Sequence, residues 1–219
     1  MIAEKVAQEF GFDYEIKYIN EETLKKDLEF LVNGLETSNI MKISVGIPIY
    51  YGSLINKYKV IFSGIGSEEL FGGYERHLKN IKKECEKGLL TIWERDLYRD
   101  NVASFLGGSE LRTPFLSEEL IYLSKKIPNN WKIRKISKKE KEIIKKFFNK
   151  EINYCKKYLL IKITKKHINF FAYRPKKAAQ YGSKSEKIIE KIAKTKNLDK
   201  REYLKTLLKE IKPIEDEIF

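Results

Sequence analysis

The stretch KVIFSGIGSEELFGGYERH, residues 59–77, decides how the chain folds. It opens with Val60, Ile61 and Phe62, a short apolar run of the kind a buried strand uses. The run breaks into Ser63, Gly64, Ile65, Gly66 and Ser67, where two glycines admit backbone conformations that other residues avoid. Ser67 is placed to cap a helix whose first turn carries Glu68 and Glu69, acids that suit the positive end of a helix dipole. Strand, glycine turn and capped helix together gather backbone N–H groups at one point, a natural anion site at the carboxyl end of the strand. Glu68 or Glu69 beside such an anion can hold Mg2+ through hard oxygen ligands, and the plainer role of either is dipole compensation and solvation.

Working outward, the 219 residues suffice for one large domain or two small ones with a real core, and 42% hydrophobic with 12% aromatic content marks a globular chain. No apolar stretch approaches the roughly 18 residues a bilayer crossing needs, and MIAEKVAQEF lacks the charged and apolar regions of a secretory leader. A cytoplasmic protein with no membrane partner is the expectation. Cys85 and Cys155 have no CxxC spacing and no histidine cluster near them, so both are read as free thiols. The net charge of +13 is a footprint that nucleic acid can use. The excess is nearly all lysine, accompanied by isoleucine and glutamate, a mixture that equally fits a thermophile surface or an AT-rich genome, so nucleic acid is not expected as a partner.

In chain order, residues 1–10 form an amphipathic helix with Ile2, Val6 and Phe10 on one face, closed by Gly11. Residues 13–19 alternate Tyr14, Ile16 and Tyr18 like a strand. Asn20 caps a helix over 21–35 with Leu24, Leu28, Leu31 and Leu35 as its buried stripe. Residues 38–47 read ambiguously, and Pro48 opens a helix leading into strand 60–62. The region 79–104 reads as helix with a break near Gly88, and 110–116 as an irregular connector in which Pro114 favours extended backbone. Ser117 caps a helix to Lys126, and the remainder is helical and lysine-rich over about 138–149, 152–160, 185–195 and 199–212. This is half of a doubly wound α/β pattern followed by helices. The division expected is residues 1–78, an α/β nucleotide-binding core, and residues 79–219, a helical part.

Three segments taken together carry a resemblance. SGIGSEELFGGYERH (63–77) resembles the SGxGxDExFgGY segment of the asparagine synthetases' synthetase domain. RDNVASFLGGSELRTPFLS (99–117) is similar to the stretch ending in E-x-R-x-P-F-L-D, and YRPKKAAQYGS (173–183) to the R-x-K segment before the C-terminal helices. The resemblance implies a PP-loop ATP pyrophosphatase fold: a parallel sheet flanked by helices, with a helical C-terminal half. It implies a carbon–nitrogen ligase that uses ATP and Mg2+ to adenylate the aspartate side chain, after which ammonia, usually from a glutaminase, displaces AMP. Carried over, Ser63, Gly64 and Gly66 belong to the pyrophosphate turn, and Glu68 stands at the family's Mg2+-binding Asp. Tyr74 matches the GGY tyrosine near the reacting carbonyl, and Lys176 the lysine that stabilises charge on the phosphates, a preorganised cation of the kind that usually supplies the largest catalytic effect.

The departures are equally specific. The family's SGGxDS phosphate loop does not occur in this sequence. Ile65 stands where Asp or Glu is usual, the longer Glu68 replaces Asp, and Lys145 stands where arginine is common. The expectation is a truncated PP-loop domain that does not make asparagine alone and that a second chain, carrying the PP-loop or a glutaminase, completes. A basic RNA-binding relative and a non-catalytic remnant are the alternatives.

Overall fold

The computed structural model describes residues 2–168, 172–174 and 182–209. The elements are α1 (Ile2–Phe10), α2 (Glu21–Gly34), α3 (Ile40–Leu54), β1 (Val60–Phe62), α4 (Ser67–Phe71), α5 (Ile81–Leu90), α6 (Tyr98–Leu106) and β2 (Glu110–Arg112). They continue with α7 (Glu118–Lys126), α8 (Asn129–Lys132), β3 (Ile133–Lys135), α9 (Lys138–Phe148), β4 (Tyr154–Lys156), α10 (Tyr158–Ile168), α11 (Ser185–Lys194) and α12 (Lys200–Leu207). The described chain is mostly helical with a small parallel sheet, which is compatible with an α/β fold. Two compact units interleave in sequence: one holds residues 1–16, 62–97 and 111–176, the other 17–61, 98–110 and 177–219.

The second unit is built on apolar periodicity. Asn20 accepts a hydrogen bond from the Thr23 amide and so starts α2, whose Leu24, Leu28, Leu31 and Val32 are buried, with Leu35 just beyond. They meet Ile43, Ile47, Tyr50 and Tyr51 of α3, Ala103 of α6, and Ile189, Ile192, Tyr203 and Leu204 of α11 and α12 in one core. The Tyr51 hydroxyl leaves this core by donating 2.6 Å to the Asp27 carboxylate. A single helix runs through Pro48, where a helix start was expected. Proline costs about 3 kcal/mol inside a helix, whereas burying Ile43, Ile47, Tyr50 and Tyr51 returns roughly 1.5–3 kcal/mol for each large apolar side chain. Packing decides, and the true start is Asn39, whose side chain accepts from the Met41 and Lys42 amides.

The first unit has a smaller core. Ile136, Ile144, Cys155 and Tyr173 are buried together, around the antiparallel pair β3–β4 in which Arg134 stands opposite Cys155. Cys85 is also buried, and neither thiol forms a disulfide. Glu140 caps α9 reciprocally with Ser137, and its carboxylate also takes hydrogen bonds from Arg134 and Tyr173.

Several expectations are corrected. Residues 13–19 form no strand: no other strand pairs with them among the described residues, and Tyr18 is 81% exposed. An alternating pattern becomes a strand only when an edge is available to pair with. The strand β1 is present, yet Phe62 is 78% exposed, because burial on both faces needs covering layers that two paired strands lack. Its partner, β2, lies in the segment read as irregular. The pairing is parallel, with the Glu110 amide donating to the Lys59 carbonyl and the Ser63 amide to that of Arg112. The helix α5 runs through Gly88, where a break was expected. A Cβ there would lie 2.9 Å from the Glu69 Cγ, so this glycine makes room for a buried carboxylate.

Candidate active site

The residues singled out from the sequence fall in the first unit, on the turn after β1, the short helix α4 and the segment beyond it. The Ser63 amide is used by β2, and its Oγ accepts from the Ile65 amide at 3.2 Å, which leaves the hydroxyl proton for another acceptor. The Gly64 and Gly66 amides have no protein acceptor among the described residues, and a Cβ at Gly64 would meet nothing within 4 Å. Gly66 has φ of +91°, and a Cβ there would come within 2.5 Å of Leu116, so conformation and packing both require glycine.

Two points differ from expectation. Ser67 does not cap α4: the N-cap is Gly66, without a side-chain hydrogen bond, and the Ser67 hydroxyl donates 2.9 Å to Glu68 instead. The helix is only five residues long before Gly72 turns the chain in the left-handed region.

The two glutamates have separate environments. Glu69 is 1% exposed and is held by Arg95, which the wide π-turn Trp93–Leu97 brings to it. Glu68 is paired at 3.0 Å with Lys157, 89 positions along the chain. This bears on Mg2+. A cation at Glu68 would have to displace the Lys157 ammonium, and no three His, Cys, Asp or Glu side chains among the described residues come together to hold a metal. Glu68 would supply a single carboxylate there, with water and phosphate oxygens making up the rest of a Mg2+ shell.

Tyr74 follows directly. Its ring lies under Arg76, 4.1 Å from the guanidinium carbon, with Arg95 at 5.6 Å and the His77 ring at 5.3 Å edge-on. Burial, with the Glu69 and Asp96 carboxylates nearby, raises the phenol well above its usual range and keeps it protonated. His77, read from sequence as a surface or packing residue, is fully buried. Its Nδ1 accepts from the Tyr74 amide, and its Nε2 has no hydrogen-bond partner among the described residues. Burial first, and the Arg76 cation second, push its pKa down to about 4, so the imidazole is neutral at pH 7. Lys176 lies outside the described residues.

The structure therefore brings Ser63, Gly64, Gly66, Glu68 and Tyr74 onto one continuous turn–helix–turn. Reasoning from sequence missed Lys157 and Arg95, which hold the two glutamates. No local signal marks Lys157. For Arg95, only the buried partner Glu69 would have given notice, since a buried carboxylate needs a cation.

A glycine turn following a parallel strand is a feature of α/β nucleotide and acyl-transfer proteins. Comparison with known proteins narrows the class. Residues 1–106 match the model of the asparagine synthase family. The chain is 34% identical to the putative asparagine synthetase [glutamine-hydrolyzing] 1 of Methanocaldococcus jannaschii, over 95% of this chain and 44% of that protein. It is 30% identical to asparagine synthetase B [glutamine-hydrolyzing] of Escherichia coli, over 67% of this chain and 28% of that protein. A match to the asparagine synthetase [glutamine-hydrolyzing] of Sandersonia aurantiaca is 32% identical over 61% and 27%. The chain belongs to the asparagine synthase family. It spans less than half the length of these relatives. Among the described residues no helix is long and apolar enough to cross a membrane.

Proposed function

We propose that these residues form part of a site for ATP-dependent amidation of aspartate through an acyl-adenylate, with release of pyrophosphate. The observation that carries this reading is the turn at residues 63–66, which follows a parallel strand and offers the Ser63 hydroxyl and the Gly64 and Gly66 amides, in a chain of the asparagine synthase family. In this reading those groups donate to the pyrophosphate oxygens. Tyr74, protonated throughout the physiological range, donates to the oxygen of the reacting carbonyl. Lys176 supplies a cation to the phosphates. Arg95 and Lys157 neutralise Glu69 and Glu68, so that this corner does not repel a polyanion. No step is assigned to Mg2+ at Glu68.

Nitrogen as ammonia, delivered by a glutaminase, belongs to the same proposal, since the relatives named above are described as glutamine-hydrolyzing. The SGGxDS loop is not among these 219 residues, and turnover in this reading requires it, in cis or on a second chain. The test is aspartate-dependent exchange of labelled pyrophosphate into ATP by the chain supplemented with a polypeptide carrying that loop. Exchange that Lys176→Ala lowers by about 100-fold, the scale of one preorganised charge contact, is the expected result. Absent exchange, or exchange indifferent to Lys176→Ala, overturns it.

A further inference from the structure

The positive charge of this protein is not spread over it. Residues 125–166 hold 16 of the 44 Lys and Arg but only 3 of the 31 Asp and Glu, a net of +13 against 0 for the other 177 residues. A compositional drift toward lysine acts on every segment alike and does not remove acids from one of them. Among the described residues of this stretch, Lys125, Lys126, Lys138, Lys139, Lys146, Lys162, Lys165 and Lys166 are exposed.

The stretch belongs to the first unit, and its surface is shaped. Two adjoining clefts, of about 320 and 310 Å3, share Lys141 and Asn153. Lys135 and Tyr154 line the first; Lys145 and Lys150 line the second beside Glu142 and Glu151, the latter paired with Lys145 at 3.5 Å, so the first is the more cationic. The exposed Tyr154 ring lines the first of these clefts, and other exposed rings of the same unit carry lysines of their own. Tyr154 is 40% exposed, Phe147 46% and Trp131 38%. Lys146 stands 5.4 Å from the Phe147 ring, Lys162 4.5 Å from Trp131, and Lys126 4.1 Å from Tyr122. A concave lysine cluster beside the exposed Tyr154 ring matches a strand that alternates phosphates with unpaired bases.

We propose that this surface docks single-stranded RNA, with the phosphates in the two lysine clefts and bases against the exposed rings. Duplexes present stacked bases that cannot reach the rings. A lipid surface is disfavoured because α9 spends its apolar side on the protein: Ile144 is buried, and Ile143 and Phe148 pack against the same core. The proposal is independent of the amidation reading, because it uses none of residues 63–74 and not Lys176.

Fluorescence anisotropy of the whole chain with a labelled 20-nucleotide oligouridine, in a series from 50 to 300 mM salt, tests this. An unlabelled blunt RNA duplex and anionic phosphatidylserine vesicles serve as competitors. The triple variant Lys135→Glu/Lys141→Glu/Lys150→Glu is compared with Lys25→Glu/Lys82→Glu/Lys83→Glu, which changes the net charge equally at exposed positions elsewhere. Circular dichroism verifies that both fold. The expected result is binding that the cleft variant weakens at least tenfold and the control less than threefold. The log–log salt slope should be shallower by about 2 in the cleft variant, as for three lost phosphate contacts to a single strand. Equal losses in the two variants, preference for the duplex, displacement by vesicles in place of RNA, or no binding at 50 mM salt each overturn the proposal.

Discussion

The two units of this chain are held together by different physics. In the second, fifteen buried hydrophobic residues form one core, and its buried polar groups are serine hydroxyls together with one adjacent ion pair, Arg99 with Asp100. In the first, four buried hydrophobic residues form the corresponding cluster, and much of the interior is charged: Glu69 with Arg95, Glu68 with Lys157, and Glu140 with Arg134 and Tyr173. Apolar packing tolerates many solutions and has no use for charge. Ion pairs out of water hold only when both partners are present, and they fix side chains where chemistry needs them. The candidate site lies in the unit built that way.

That contrast can be broken at its strongest point. Leu28→Ala removes a fully buried side chain from the larger core and should cost about 4 kcal/mol in urea unfolding, against nearly nothing for an exposed leucine such as Leu90. A loss below about 1 kcal/mol would mean that the second unit does not rest on this core.

The next effect sharpens the other side. Arg95→Met keeps bulk and deletes the cation, leaving the Glu69 carboxylate buried opposite no arginine; the expected cost is about 3 kcal/mol. Glu69→Gln in the same background should recover much of it, because the remaining group is then neutral. A purely steric role for Arg95 predicts no recovery.

The smallest effect is a pH dependence. Hydrogen bonds from Ser137, Arg134 and Tyr173 outweigh burial and hold the Glu140 pKa at about 2, below its ordinary 4.5. A folded-state value that is depressed means stability fully present above about pH 4.5 and lost as pH falls toward 2. Over that window the contribution is about 2 kcal/mol, and Glu140→Gln should flatten this part of the stability profile. An unchanged slope in the variant would assign the acid sensitivity elsewhere.

The same contrast explains what could be read from the sequence. Stripes and caps were legible: Leu24, Leu28 and Leu31 on α2, Leu35 at its C-cap, and Asn20 and Ser117 as N-caps stand buried or capping as the spacing predicts. The exceptions, such as the helix through Pro48, arise where tertiary burial outweighs local preference. The order of the residues on the turn 63–66 and α4 was legible because they are neighbours in sequence. Lys157 and Arg95 were not, since an ion pair spanning 89 or 26 positions leaves no periodic trace. The parallel pairing of β1 with residues 110–112 was hidden for the same reason, because it joins distant segments of only three residues each.

If the first unit carries the chemistry and the second the stability, one paired measurement separates them. Aspartate-dependent pyrophosphate exchange, in the presence of the SGGxDS-bearing polypeptide at 15 °C, is set beside thermal melting for Tyr74→Phe and Leu28→Ala. The account expects Tyr74→Phe to lose exchange by tenfold or more with its melting temperature nearly unchanged, and Leu28→Ala to melt far lower while retaining exchange when cold. Exchange undiminished in Tyr74→Phe, or lost in both variants in proportion to melting, would contradict it.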